Sequence, residues 1–270
     1  MTGPSSAFAA LHTASGPFLL PNAWDVASAL LLADAGFPAV GTTSLGVTAA
    51  AGLRDGVGAG RDLTVALAAA LFLRLPVPLT VDLEGGYSDD PAEVADLAAQ
   101  LADLGVAGIN LEDGRPGGQL RPVAEHAAVI RAVTDATPGL FVNARTDTYW
   151  LTIGDDQERL PETVRRLAAY RDAGASGVFT PGLSDPAAIQ IVATTVDLPL
   201  NVLWQPGVSL ANLGAAGAVR VSTGSTLYRH ALSAALDAAA AARTATAPTT
   251  RPIDYQQLQQ HLYLSGRDDR

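Results

Sequence analysis

Cysteine is absent from this 270-residue sequence. Its absence excludes disulfide bonds, thiolate metal sites and cysteine nucleophiles together. Basic residues are also few, because lysine and arginine together number 17 against 27 acidic residues, which gives a formal net charge of −10. The basic residues are scattered along the chain, so we expect no nucleic-acid partner and no binding to an anionic membrane.

We expect neither a secretion signal nor a membrane span from the sequence. Its first six residues have neither the basic region nor the long apolar core of a signal peptide, so a cytoplasmic location is expected. The uncharged stretch from Ala35 to Leu53 is long enough to resemble a membrane span. Pro38, several glycines and a small polar run at 42–44 interrupt it, which favours a buried strand followed by a loop.

Short apolar runs alternate with longer segments of helical spacing along most of the chain, which is 48% hydrophobic and 16% charged. Eight runs are predicted to be strands, and they span residues 18–24, 39–44, 77–84, 107–112, 140–145, 177–180, 198–203 and 219–222. Eight strand-helix units predict an α/β fold, a (β/α)₈ TIM barrel. An open doubly wound sheet is the second possibility, but no glycine-rich dinucleotide fingerprint follows the first strand.

The C-terminal end departs from this alternation. Residues 244–252 are rich in threonine, alanine and proline, and a short helix is predicted after them, near Tyr255 to Leu264. We therefore assign residues 1–243 to a barrel domain and 244–270 to a linker with a C-terminal helical extension. Such an extension packs on its own barrel or on a neighbouring subunit.

Acidic residues end the third and fourth predicted strands. Asp82 and Glu84 lie two residues apart, so on a strand they share one face, and Glu112 ends the next strand. Barrel active sites lie at the carboxyl ends of the strands, where these three carboxylates would repel one another. A divalent cation relieves that repulsion, and oxygen ligands favour Mg²⁺ or Mn²⁺ over zinc. The alternative is that the three acids cap loops or pair with arginines.

Other strand ends supply candidates for substrate binding. Arg145 can offer a bidentate fork to a carboxylate or phosphonate, or it can form a structural ion pair with Glu112 or Asp147. Ser44 and Leu45 lie in a small loop whose backbone N–H groups can approach an oxyanion, although small loops also occur for packing alone. The remaining polar and aromatic residues at strand ends are Asn22, Trp24 and Asn201.

The four histidines, His12, His126, His230 and His261, all fall outside the predicted strand ends. Their helical or terminal positions favour a surface or helix-face role over catalysis. Ser44 has no histidine nearby in the sequence, so a Ser-His-Asp triad is not expected.

Five motifs occur in order at successive strand ends: PNAWD at 21–25, TTS at 42–44, VDLEGGY at 81–87, LEDG at 111–114 and NARTD at 143–147. Together they resemble the isocitrate lyase/phosphoenolpyruvate mutase superfamily, over about residues 17–230. The resemblance implies a Mg²⁺-dependent barrel that acts on small α-oxo or hydroxy acids, generally through an enolate. The bonds made or broken in that superfamily are C–C or C–P bonds.

The resemblance also implies roles for individual residues. Asp82 is similar to the direct metal ligand of the superfamily, and Glu84 and Glu112 are similar to ligands that act largely through bound water. Asp55 resembles an aspartate on the loop that covers the metal site. The candidate catalytic residues are thus Asp55, Arg145 and Ser44, and the candidate substrate-binding residues are Ser44, Leu45, Arg145, Trp24 and Asn201.

The segment after the fourth strand departs from the superfamily pattern. Isocitrate and methylisocitrate lyases carry a Lys-Lys/Arg-Cys-Gly-His loop there, whereas this chain has GRPGGQLR at 114–121 and no cysteine. Those two activities are therefore not expected. The longer gating loop of the phosphonate-forming mutases, with its lysine and asparagine, is missing as well.

The retained metal and anion groups favour a Mg²⁺-dependent lyase that cleaves a C–C bond of a small α-oxo or hydroxy dicarboxylate, by oxaloacetate-like decarboxylation or retro-aldol cleavage. A phosphoenolpyruvate or carboxyphosphonoenolpyruvate phosphonomutase, or a phosphonopyruvate hydrolase, is the second hypothesis. A non-catalytic metabolite-binding barrel is the third. The resemblance further implies a homotetramer, a dimer of dimers in which the C-terminal helix is exchanged between neighbours.

Overall fold

Strands and helices alternate along residues 4–264, the part of the chain that the computed structural model describes, with side chains described up to residue 262. The strands are β1 (Phe18–Leu20), β2 (Asn22–Ala23), β3 (Val40–Thr42), β4 (Leu79–Asp82), β5 (Gly108–Glu112), β6 (Gly114–Arg115), β7 (Gln119–Leu120), β8 (Phe141–Arg145), β9 (Gly177–Phe179), β10 (Leu200–Leu203) and β11 (Ala218–Ser222). The helices are α1 (Pro4–Leu11), α2 (Val26–Asp34), α3 (Ser44–Ala50), α4 (Arg61–Phe72), α5 (Pro91–Asp103), α6 (Val123–Ala136), α7 (Asp156–Asp172), α8 (Pro186–Val196), α9 (Leu210–Ala215), α10 (Thr226–Thr244) and α11 (Tyr255–Leu264). The outer ends of the two assigned domains, residues 1–3 and 265–270, lie outside the described residues.

Nine strand segments form one parallel sheet, in the order β1-β11-β10-β9-β8-β5-β4-β3-β2. The segments β1 and β2 are two parts of one strand, interrupted at Pro21, which has no N–H to donate to a neighbour. β1 pairs with β11 and β2 pairs with β3, so the sheet closes on itself. The predicted (β/α)₈ barrel is confirmed, and the open doubly wound sheet is not the architecture.

Asn22 holds the barrel closed where its first and last strands meet. Its Oδ1 accepts hydrogen bonds from the backbone N–H groups of Thr223 at 3.0 Å and Gly224 at 2.9 Å, just after β11. Its Nδ2 donates to the carbonyl of Thr42 on β3 at 2.7 Å. One buried amide therefore joins three consecutive strands of the closed sheet.

Two predicted strand boundaries are corrected by the structure. β4 ends at Asp82, and Glu84 lies in the turn after it with a left-handed φ of 50°. The expectation that Asp82 and Glu84 share a strand face is therefore wrong, because strand alternation stops between them. Asn201 is the second residue of β10 rather than its end, so its side chain lies deeper in the barrel than predicted.

Outward and inward faces of the strands differ in chemistry. The outward residues, such as Val81, Ile109 and Val142, are fully buried beneath the helices. The inward residues include Asn110, Asn143 and Arg220, which hydrogen-bond to one another across the barrel interior. The interior of this barrel is therefore polar at mid-height, where apolar side chains usually fill the layers.

An aromatic cluster seals the opposite end of the barrel from the strand carboxyl ends. Phe8 of α1 is fully buried and meets the rings of Phe18 and Phe141 edge-on, at centroid distances of 6.5 and 5.5 Å. Functional residues are therefore expected at the carboxyl ends of the strands.

The C-terminal helix packs on its own barrel in this structure. Arg74, just after α4, donates to the carbonyl of Leu262 at 2.6 Å, and His261 pairs with Asp34 at the end of α2. Residues 245–254 join α10 to α11 without regular structure, as the composition predicts. The domain division at residue 243 stays a prediction. Within the described part of the chain, no helix is both long enough and apolar enough to cross a membrane.

Candidate active site

Two adjoining cavities open at the carboxyl ends of the strands. The mouth cavity, of about 120 Å³, lies over the barrel interior, and its walls include Ser44, Leu45, Asp55, Asp82 and Arg145. The hairpin cavity, of about 320 Å³, lies between residues 56–58, residues 84–89 and the β6–β7 hairpin, and its walls include Glu84 and Glu112. The structure thus brings seven of the nine sequence-predicted site residues to these two cavities.

The carboxylates of Asp82 and Glu84 each have one satisfied and one unsatisfied oxygen. Asp82 Oδ2 accepts the backbone N–H of Ser44 at 3.2 Å, and Glu84 Oε2 accepts that of Gly58 at 3.1 Å. Asp82 Oδ1 and Glu84 Oε1 are buried and have no hydrogen-bond partner. A buried carboxylate oxygen without a partner is costly, so a bound cation would complete this site.

The donor set fits Mg²⁺ better than a metal that needs an all-protein cage. Among the described residues, no three histidine, aspartate or glutamate side chains lie close enough to enclose a metal directly. Mg²⁺ usually keeps several waters and takes only one or two carboxylates from the protein. The two unsatisfied oxygens of Asp82 and Glu84 would supply the one or two carboxylate ligands that Mg²⁺ takes from a protein. A four-ligand zinc site does not fit these residues.

Burial and mutual repulsion shape the acidity of the glutamates. Burial raises the pKa of Glu84 to about 7, the Gly58 N–H opposes this rise, and the charges of Asp55 and Asp82 add to it. Burial also raises the pKa of Glu112 well above its ordinary value, against the opposing charge of Arg145. The negative charges of Asp82, Glu84 and Glu112 are therefore not fully stabilised by their surroundings. This is expected for a site that binds a cation.

Arg145 forms the ion pairs considered from its sequence. Its Nε and one terminal nitrogen donate to the two carboxylate oxygens of Asp147 at 2.6 and 3.2 Å, and its other terminal nitrogen lies 2.6 Å from Glu112 Oε2. These partners raise the pKa of Arg145 further, although burial opposes them. A guanidinium has five N–H donors, so two remain for a bound acid at the mouth cavity.

Asp55 and Ser44 both line the mouth cavity. Asp55 is on an exposed loop, yet partial desolvation raises the pKa of its carboxyl group, and the charge of Asp82 raises it further. A hydrogen bond from the Ser44 side chain and the charge of Arg145 oppose that rise. In this structure the Ser44 backbone N–H donates to Asp82 rather than standing free for a substrate oxygen.

Asp113 follows Glu112 in the sequence but does not belong to the acidic cluster. Strand alternation turns it outward, where it is fully buried against α7. It accepts hydrogen bonds from Tyr170 at 2.7 Å, Thr146 at 2.8 Å and Arg166 at 3.1 Å. Asp113 therefore connects the barrel wall to α7, so the second carboxylate of the LEDG motif is structural.

Two predicted substrate-binding residues lie away from both cavities. Trp24 packs edge-on against Tyr228, at a centroid distance of 5.4 Å, and its Cβ lies close to Gly46. Asn201 is 1% exposed inside the barrel, and neither atom of its amide has a partner. Their assignment to substrate binding stays a prediction.

Several residues that line the mouth cavity were missed in the sequence, and Asn110, Arg229 and Trp150 are among them. Asn110 lies two residues before Glu112 on β5, so the two-residue strand period could have identified it as inward-facing. Arg229 in the first turn of α10 and Trp150 after β8 also line the mouth cavity. Neither is at a strand end, and no local signal in the sequence distinguishes them from other exposed residues.

Histidine side chains lie away from both cavities in the described part of the chain. In the described part of the chain, the linings of the mouth and hairpin cavities contain none of the four histidines. His12 and His126 are instead buried, and burial lowers the pKa of each, to about 3 and about 4. A Ser-His-Asp triad is therefore absent from these cavities.

Comparisons with known proteins agree with this geometry. Residues 8–243 match the family model of phosphoenolpyruvate phosphomutase. The chain is 44% identical to an uncharacterized protein of Mycobacterium tuberculosis strain H37Rv over 252 residues, which cover 93% of this chain and 94% of that protein. It is 31% identical over 202 residues to 2-methylisocitrate lyase of Bacillus subtilis strain 168, covering 72% of this chain and 64% of that enzyme.

Solved structures lead to the same family. The fold is similar to that of a Burkholderia cenocepacia J2315 protein that is provisionally described as a phosphonomutase. The TM-score is 0.82 and the sequence identity is 38%, and the match covers 88% of this chain and 98% of that one. The names borne by relatives thus include both lyases and mutases. The chain belongs to the phosphoenolpyruvate phosphomutase family, within the isocitrate lyase/phosphoenolpyruvate mutase superfamily.

Proposed function

We propose that this protein is a Mg²⁺-dependent lyase that cleaves a C–C bond of a small α-oxo or hydroxy dicarboxylate. The observation that supports it most is the composition of the mouth cavity, which combines an unsatisfied Asp82 oxygen with two arginines, Arg145 and Arg229. A cation site beside two cationic side chains is suited to a ligand with two anionic ends, one of which also reaches the metal.

The size of the mouth cavity supports a small substrate. Its volume of about 120 Å³ is well below the roughly 300 Å³ at which pockets for drug-sized ligands begin. Only an acid of a few carbon atoms would be enclosed there. Trp150, which is 56% exposed at the rim, would cover part of such a ligand from solvent.

The side chains divide the work in this proposal. Asp82 and Glu84 would hold Mg²⁺ through their unsatisfied oxygens, and Glu112 would act through bound water. A bound Mg²⁺ supplies stabilisation of the negative charge that develops on the α-oxo oxygen. Arg145 orients the carboxylate next to that oxygen, and Arg229 holds the distal one.

The proton required by the reaction would be held by Asp55. Its raised pKa and its place on the loop at the mouth cavity suit a carboxyl group that gives up and recovers a proton. Ser44, hydrogen-bonded to Asp55, would keep that carboxyl group oriented. The β6–β7 hairpin, at the position where the isocitrate and methylisocitrate lyases carry a cysteine, contributes no described residue to the lining of the mouth cavity.

The direct test compares wild type with Asp82→Asn on a panel of four- to six-carbon oxo and hydroxy diacids. We expect Asp82→Asn to lose Mn²⁺ binding in a spectroscopic titration and to lower kcat/KM at least about a hundredfold, because a metal ligand is removed. Asp62→Asn is the matched control, since Asp62 is exposed on α4 away from the cavities. Unchanged turnover and Mn²⁺ binding in Asp82→Asn would falsify the proposed metal role.

The second candidate function is a phosphonomutase or C–P hydrolase, which the similarity to the Burkholderia protein favours. Phosphorus NMR with phosphoenolpyruvate and phosphonopyruvate distinguishes it, because phosphorus bound to carbon and to oxygen resonates at well-separated positions. Interconversion or release of phosphate would favour that function over the lyase. Tight oxalate binding with no turnover on either panel would favour a non-catalytic binding barrel.

A further inference from the structure

Arg220 is a buried cation in the barrel interior, below the mouth cavity. It is 1% exposed, and in the described structure its Nε and one terminal nitrogen have no hydrogen-bond partner. Beneath it lies the ring of Phe8, with the guanidinium carbon 5.8 Å from the centroid. An unpaired charge at this depth costs several kcal/mol, so packing alone does not account for an arginine here.

Among the described residues, Arg220 makes one side-chain hydrogen bond, to Asn110, a residue that lines the mouth cavity. Its other terminal nitrogen donates to Asn110 Oδ1 at 3.0 Å, and Asn143 Nδ2 donates to the same oxygen at 2.8 Å. An arginine can only donate, so the amide oxygen of Asn110 must face it. Asn110 also lines the mouth cavity, which leaves its Nδ2 as the group available to a ligand there.

The charge of Arg220 acts on the same cavity. Burial lowers its pKa to about 9, and the one carboxylate that counteracts this effect is Asp82. Asn110 is the register partner of Asp82 on the neighbouring strand. Arg220 thus stands one side chain below the proposed metal ligand, and its positive charge attracts an anion in the cavity and repels a cation.

We propose that Arg220 is a positioning residue for the floor of the mouth cavity: it fixes the Asn110 amide with Nδ2 toward a bound carboxylate and places a buried positive charge under the carboxylate cluster. The inference rests on the proposed function, because it assumes that a divalent cation and an anionic acid share the cavity. It assigns Asn110 as a donor to the acid and Arg220 as the residue that orients it.

A charge role and a packing role give opposite results when Arg220 is replaced by methionine. The experiment measures three quantities on the full chain: the Tm, the Kd of Mn²⁺ alone, and the Kd of oxalate at saturating Mn²⁺. For Arg220→Met we expect an equal or higher Tm, because replacing a buried charge with an apolar side chain is often stabilising. We expect Mn²⁺ to bind about tenfold more tightly and oxalate about tenfold more weakly, the order expected for loss of a nearby buried charge.

Two further variants separate charge from hydrogen bonding. Asn143→Ala removes the other donor to Asn110 without changing any charge, so it should weaken oxalate binding and leave the Kd of Mn²⁺ unchanged. Arg220→Lys keeps the charge and loses the fork geometry, so it should keep wild-type Mn²⁺ affinity and weaken oxalate binding less than methionine does. If Arg220→Met does not fold, Arg220→Lys and Asn143→Ala test the inference instead. Failure of either variant to show the Mn²⁺ and oxalate affinities given above would then overturn it.

Parallel losses of Tm, Mn²⁺ affinity and oxalate affinity in Arg220→Met would show a merely structural role and overturn the inference. Wild-type affinities for both probes in Arg220→Met would also overturn it. A wild-type chain that binds neither Mn²⁺ nor oxalate would instead overturn the proposed function, and this inference with it.

Discussion

At the scale of single residues, Glu112 and Asp113 are adjacent carboxylates with different roles. Because side chains alternate along a strand, the two point to opposite faces of the barrel wall. Glu112 points inward to Arg145 and the cavities, and Asp113 points outward to Tyr170 and Arg166 on α7. A carboxylate that faces the cavities can bind a cation, whereas one that accepts three side-chain donors is already neutralised. Adjacent acids in a motif therefore need not share a site.

His126 gives a prediction for the pH dependence of stability. It is fully buried on α6 against Tyr170, and burial lowers its pKa from 6.5 to about 4. Between these values the unfolded chain binds a proton that the folded chain does not, so acid favours unfolding. We expect wild type to lose up to about 3 kcal/mol of unfolding free energy relative to His126→Gln as the pH falls from 6.5 to 4.

Chemical denaturation of both proteins across pH 4 to 8 measures this difference. Above about pH 7 the two curves should run parallel, because His126 is then neutral in both states. The difference in unfolding free energy above about pH 7 therefore measures any effect of the substitution that does not depend on pH. A difference that stays the same at every pH would contradict the buried neutral histidine.

The sequence identified part of the site for a definite physical reason. Asp82, Glu112 and Arg145 end parallel strands, whose carboxyl ends must meet at one edge of the barrel. Glu84 was found by its motif, but its turn conformation was not, since a φ of 50° depends on the surrounding packing. Arg229 and Trp150 reach the mouth cavity only through the tertiary path of α10 and the loop after β8, which no local pattern encodes.

At the scale of elements, the β6–β7 hairpin is fastened by one buried arginine. Arg121 is 2% exposed and donates to the carbonyls of Ser88 at 2.9 Å and Gly85 at 3.3 Å. Its own carbonyl accepts from Arg166 at 2.9 Å. The β6–β7 hairpin is therefore tied both to the loop after β4 and to α7.

We expect Arg121→Met to loosen this hairpin. Loss of three hydrogen bonds from a charged donor, two to carbonyls and one to Asp89, should speed amide hydrogen exchange in residues 114–120 at least about tenfold. Arg115→Met is the matched control, because Arg115 pairs with Asp89 at the same loop but its side chain is 31% exposed. Equal exchange in the two variants would argue that Arg121 does not anchor the hairpin.

At the scale of the whole molecule, helix α10 has an apolar side that its own barrel does not cover. Leu232 and Leu236 lie one turn apart and are 48% and 73% exposed. Exposed apolar side chains in line on a helix are typical of an interface. We propose that this side packs against a second copy of the chain in a homotetramer, as the superfamily resemblance implies.

Light scattering after size exclusion tests this assembly. Wild type should elute with a mass of about four 27.6 kDa chains, and Leu236→Glu should shift it to a smaller species. Ala238→Glu, on the opposite side of the same exposed helix, is the matched control and should leave the mass unchanged. A wild-type mass of one chain would rule the assembly out.

The hydrogen bonds of Asn22 that close the barrel have a consequence for folding during synthesis. The residues it joins, Asn22 and Thr223, are 201 positions apart, so this contact closes one of the longest loops in the chain. During synthesis, the three carboxylates that we propose to hold Mg²⁺, those of Asp82, Glu84 and Glu112, emerge well before β11 completes the ring. A nascent chain therefore carries these acidic groups before the mouth cavity is complete, so we expect binding at the proposed site only after the last strand has been added.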